Sequence, residues 1–126
     1  MSKSETWRTR EFWKSVGGLL IEEFQAIPAS KEKNIGKRVI DGVIVLGVKK
    51  GIQAGGKYDI KGKNVIVIQT KSNRLGMSLM GQAFFSREII KQFHPKSIKT
   101  VVIAGKGDSE MEALCKRFNI EVVIIE

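Results

Sequence analysis

Cysteine is almost missing from this chain: its 126 residues include one, Cys115. A single thiol excludes a disulfide framework and a cysteine zinc cluster, and it suits a reducing cytoplasm. Within EALCKRF it is expected to pack as a small apolar residue. Histidine is as scarce, and His94, followed by Pro95, reads as a helix-end residue rather than a metal ligand. Proline occurs twice while 42% of residues are apolar, which argues against disorder. No apolar run approaches the ~20 residues that a bilayer-crossing helix needs. The opening MSKSETWRTREFW lacks the apolar segment of a secretory signal. Gly51, Gly55 and Gly56 do not follow a strand-to-helix junction, so they do not form a phosphate-binding P-loop. The expectation is a cytoplasmic single domain over 1–126, with no membrane and no organic cofactor.

Acidic residues are in deficit, and that is more informative. Twenty-two Lys and Arg stand against thirteen Asp and Glu, a formal charge of +9. Such a balance fits either a solvated basic surface or a polyanion binder. The bases concentrate in KEKNIGKR, which ends in Lys37 and Arg38, and in the Gly-rich stretch from Lys49 and Lys50 through Lys57 to Lys63.

The apolar pattern predicts a first helix over Thr6–Ile27, with Phe12, Val16, Leu19, Leu20, Phe24 and Ile27 on one stripe and Pro28 stopping it. RVIDGVIVLGV (Arg38–Val48) reads as a strand, followed by a glycine turn and a short strand near Lys57–Lys61. A strand at Asn64–Lys71, a helix at Ser78–Phe93, a strand at Ile98–Ala104, a helix at Ser109–Phe118 and a strand at Ile120–Ile125 follow. Asp108, with Glu110 and Glu112 behind it, supplies a helix start. The predicted order is αβββαβαβ, an α/β fold with a mixed sheet flanked by helices.

Several polar residues interrupt these apolar patterns. NVIVIQTKS (Asn64–Ser72) begins as a buried strand and stops on Gln69, Thr70 and Lys71. Alternation puts Gln69 and Lys71 on the face of Val65 and Val67. Asp41 sits inside VIDGVIVL on the face of Val43 and Val45, where a carboxylate needs a partner or a metal; it also fits a turn with Gly42. Glu23 falls within the predicted first-helix stripe, whereas Glu22 points away from it. Gln82 and Ser86 share a side of the next predicted helix with Leu79, Ala83 and Ile90. Taken alone, each also fits a bland role: a rim ion pair, a frayed strand end, a buried hydrogen bond.

In sequence order, Glu23, Asp41 and Gln69-Thr70-Lys71 resemble the motif of the PD-(D/E)xK nuclease superfamily, with Gln69 where the family usually has a carboxylate. Some members, including transposon-end-cleaving nucleases, carry glutamine there, and the chain's size and basicity also resemble archaeal Holliday-junction resolvases. The resemblance implies a restriction-endonuclease-like fold and a Mg²⁺-dependent DNA endonuclease in which Mn²⁺ substitutes, working as a homodimer. It implies Asp41, Gln69, the Thr70 carbonyl and Glu23 as metal ligands, with Lys71 orienting the attacking water. Gln82 and Ser86 would support the ligands or touch phosphate. Lys37, Arg38, Lys49, Lys50, Lys57 and Arg74 would contact the DNA backbone, which positions a duplex without reading its sequence. The absence of a recognition helix points to a structure- or end-directed enzyme. The rival reading is an inactive nucleic-acid-binding or assembly subunit of the same fold.

Overall fold

Two glycines decide how the chain begins. The computed structural model describes residues 3–126, with side chains from residue 5 onward. The first helix, α1 (Lys3–Val16), ends far earlier than its apolar spacing predicts, at Gly17 and Gly18 with φ of 84° and 78°. Only glycine takes this backbone cheaply. At Gly18 a Cβ would also stand 2.6 Å from the carbonyl oxygen of Val45, so the chain must pass close there. The Trp13 indole donates to the Gly18 carbonyl at 2.9 Å and pins the turn. LLIEEFQAI is therefore strand β1 (Leu19–Ile27), not the second half of a helix. Its apolar residues serve a helix or a strand equally well, and the glycine pair is what separates the two.

β1 pairs antiparallel with β2 (Arg38–Val45), whose first residues lie beside its end. The glycine-rich stretch forms β3 (Gly51–Ala54), parallel to β1, while the predicted strand near Lys57–Lys61 does not form. The later elements follow as predicted, β4 (Asn64–Arg74), α2 (Met77–Ile90) with a single 3-10 turn (Lys91–Phe93), β5 (Ser97–Lys106), α3 (Ser109–Arg117) and β6 (Ile120–Ile124), so that the order is αββββαβαβ and not αβββαβαβ. His94 closes the 3-10 turn with φ of 56°. Asp108 caps α3 by accepting from the backbone N–H groups of Glu110 and Met111.

The result is one mixed six-stranded sheet in the order β3-β1-β2-β4-β5-β6, flanked by three helices. Phe12 of α1 covers Leu20, Ile44, Ile66, Ile68, Val101 and Ile103 on one face. On the other face Ile90 of α2 joins Ile21, Val43, Val65 and Val67, and Leu79 and Ala83 meet Val102, Ala104 and Cys115 of α3. Cys115 is buried as expected, and burial pushes its thiol pKa up. No helix among the described residues is long and apolar enough to cross a membrane.

Candidate metal centre

The site forms where two central strands part. β2 and β4 stay in antiparallel register from Val45–Val65 to Gly42–Ile68 and no further, while β4 runs on beside β5 as far as Arg74. At the parting, a side chain replaces the backbone ladder: the Thr70 N–H donates to Asp41 Oδ2 at 3.0 Å. Because the N–H and C=O of one strand residue point to the same edge, the Thr70 carbonyl is also directed into this gap. Gly42 is not a turn residue but lies within β2. A Cβ there would stand 3.1 Å from Thr9 Cγ2 and 3.3 Å from Leu20 Cδ1, so α1 packs directly behind Asp41.

The parted strands open a cleft of about 550 Å³. Asp41 and Arg38 of β2, Gln69 and Lys71 of β4, and Gln82 and Ser86 of α2 all line it. Gln69 and Lys71 share a face, as their alternation predicts. Gln69 is buried and donates through Nε2 to the buried Ser86 hydroxyl at 2.7 Å, which leaves its Oε1 as the oxygen available to a cation. Gln82 is exposed at the mouth rather than buried in the apolar stripe of α2.

The acidic residue contributed by the first helix is not the one expected. Glu23 lies on β1, exposed, with φ of 53°, and does not line the cleft. Glu22, its neighbour, is buried on the α1 face, where its carboxylate takes Arg10 Nε at 2.7 Å and Nη2 at 2.9 Å. The cleft takes Glu5 from α1 instead. A sequence signal for it exists. Once Gly17-Gly18 ends the helix, Glu5 and Glu11 are its only acidic residues, and Glu5 precedes the buried Thr9 and Phe12 by four and seven positions.

The electrostatics of Asp41 follow from this setting. Burial raises its pKa above the ordinary value, with the Thr70 N–H working against that, the Glu5 charge adding to it and Lys71 opposing it. A desolvated carboxylate beside a second carboxylate is an arrangement that a cation relieves. The available donors are all oxygens: Asp41, Glu5, the Gln69 amide and the Thr70 carbonyl. Such a set fits a hard divalent ion of the Mg²⁺ or Mn²⁺ kind. Its charge is low, since no group of three or more His, Cys, Asp or Glu suited to a metal occurs among the described residues.

The basic residues divide. Arg38 lines the cleft and the exposed Lys37 precedes it on the approach to β2. Arg74, at the end of β4, lines a separate surface hollow with Arg8 and Lys106. Lys57 lies beside Phe24, Tyr58 and Phe93. Lys49 and Lys50 follow the far end of β2, at the opposite end of the sheet from Asp41, where Lys50 Nζ sits 5.1 Å from the Trp13 ring centre. These two do not belong to the cleft. No family model, curated protein or solved structure matches the chain.

Proposed function

We propose that this chain is a metal-dependent DNA endonuclease with a restriction-endonuclease-like fold, structure- or end-directed and acting as a cytoplasmic homodimer. One observation carries the reading: Glu5, Asp41, Gln69 and Lys71, from three separate elements, line a single cleft at the point where β2 and β4 part. A bound Mg²⁺ or Mn²⁺ would offset charge on the scissile phosphate and lower the pKa of water. The chain's own residues do the rest. Asp41 supplies the charged ligand, its second oxygen held by the Thr70 N–H. Gln69 presents an oxygen fixed by Ser86. Glu5 takes an ion or a water from the far side of the gap. Lys71, exposed at the rim, orients the attacking water and stabilises negative charge as it develops. Arg38 and Lys37 hold the phosphate backbone.

The low count of carboxylates favours a second reading, an inactive nucleic-acid-binding or assembly subunit of the same fold. Cleavage separates the two. Linear, nicked, supercoiled and four-way-junction DNA are incubated with the protein, with and without Mn²⁺. The expected result is Mn²⁺-dependent cleavage that falls roughly a hundredfold or more in Asp41→Asn and in Lys71→Ala, with circular dichroism unchanged. Identical products from all three proteins would overturn the assignment of the site, and binding without cleavage would favour the second reading.

A further inference from the structure

Phosphate chemistry leaves one wall of the cleft unexplained. Phe85 is 65% exposed, yet it lines the same cleft as Asp41, Gln69 and Lys71. Val39, also exposed, and Ile89 extend the apolar surface beside it. The ring is held in place: Phe84 meets it edge-on with centroids 5.4 Å apart at 82°, and Phe118 meets Phe84 at 6.2 Å and 86°. One turn earlier on α2 is Gly81, where an added Cβ would meet nothing within 4 Å. A glycine inside a helix is unfavourable, and no packing contact at this position calls for one. Its missing side chain leaves open space beside Phe85.

We propose that Phe85 stacks an unpaired nucleobase admitted beside the scissile phosphate, so that the preferred substrate is single-stranded or locally unpaired DNA. The proposal rests on the nuclease reading above. The bases of an intact duplex are stacked inside it, and only its phosphates would meet Arg38 and Lys71. An unpaired nucleotide brings both a phosphate for the basic lip and a π-face for the propped ring. Base–aromatic stacking tolerates any sequence, because every base has such a face.

Binding in EDTA at low salt tests this without cleavage. Fluorescence anisotropy is measured with labelled oligo-dT and with a labelled duplex. Phe85→Ala is expected to weaken oligo-dT binding about tenfold or more and duplex binding less than twofold. Phe85→Trp should retain the affinity and show indole quenching by oligo-dT beyond that of the native Trp7 and Trp13. Phe85→Leu should not restore binding. Gly81→Leu, a better helix former, should weaken oligo-dT binding while leaving the thermal midpoint unchanged or higher. Equal loss on both DNA forms, or full affinity in Phe85→Leu, overturns the stacking role. So does unchanged oligo-dT affinity in Phe85→Ala, including the case where that variant loses a dimer seen in sedimentation. A wild type that binds neither DNA form sinks the nucleic-acid reading itself, whereas a wild type that binds duplex beside an indifferent Phe85→Ala sinks only this proposal.

Discussion

Glu22 and Asp41 are both carboxylates drawn into the sheet, one on each face, and their surroundings could hardly differ more. Glu22 meets the Arg10 guanidinium at two points, 2.7 and 2.9 Å, so its charge is matched within the fold. Asp41 takes a backbone N–H at 3.0 Å and has another carboxylate, Glu5, near enough to raise its pKa. A buried charge without a close counter-ion is costly. The Glu22 pair closes one face of β1 under α1, whereas Asp41 faces a cleft, with the Glu5 charge raising its pKa and the Lys71 charge only partly opposing the rise. Burial alone therefore does not set the two acids apart. The partner does.

The largest test of that contrast is thermal. Arg10→Ala leaves Glu22 buried without its partner and should lower the thermal midpoint by on the order of 5 °C. Asp41→Asn should raise it at pH 7, because asparagine can still accept from the Thr70 N–H while shedding the desolvated charge. The pH dependence has a definite sign. With a pKa raised in the fold, Asp41 keeps its proton better folded than unfolded. Its ionisation therefore costs stability as pH rises from the ordinary carboxyl value of 3.8 through the raised one. The difference in midpoint between wild type and Asp41→Asn should vanish below that window and reach its full size above it. Addition of Mn²⁺ at pH 7 should raise the wild-type midpoint and leave Asp41→Asn unmoved. Equal responses to Mn²⁺ from both proteins would place the ion elsewhere.

A smaller effect is expected at Gln69, where the cleft is short of charge. Gln69→Glu should enlarge the Mn²⁺-induced shift in midpoint, since it adds an anionic oxygen at the same reach. The change is tolerable because the Ser86 hydroxyl, which accepts from the amide at 2.7 Å, can turn and donate to a carboxylate. Ser86→Ala removes that choice and strands a buried amide, at a cost of ~1–3 kcal/mol, measurable by urea denaturation. If Ser86→Ala were neutral, the Gln69–Ser86 contact would not be fixing the oxygen, and a smaller Mn²⁺ shift in Gln69→Glu would contradict the ligand role.

The strand that carries Gln69 and Lys71 was legible from its unbroken apolar run, the mark of a strand buried on both faces, and the pleat then put those two side chains on one face. Asp41 was legible because a carboxylate inside an apolar run is expensive anywhere. The capped helix α3 and the parallel strands β5 and β6 were equally plain. Glu5 was not, and the cause is local. Leu19, Leu20, Phe24 and Ile27 satisfy helical spacing, yet Glu23 at φ 53° breaks the alternation of β1, so the strand never shows a clean period of two. Extending the helix across Gly17-Gly18 moved the acidic residue eighteen positions down the chain (23 − 5). The spread of Lys49 and Lys50 to the far end of the sheet could not be read either, since it depends on the antiparallel direction of β2.

The smallest effect separates Glu5 from Glu23. Glu23→Gln should leave cleavage within about twofold of wild type, because an exposed strand residue outside the cleft touches neither ion nor phosphate. Glu5→Gln keeps the size of the side chain but removes a charge whose presence raises the Asp41 pKa. That variant should shift the pH window of Asp41 downward, while its weaker hold on Mn²⁺ shows as a higher metal concentration for half-maximal cleavage. The two variants are compared in the same titration of Mn²⁺ against cleavage. A Glu23→Gln curve displaced as far as that of Glu5→Gln would return the role to β1, and a Glu5→Gln curve lying on the wild-type one would leave Asp41 as the cleft's single acidic ligand.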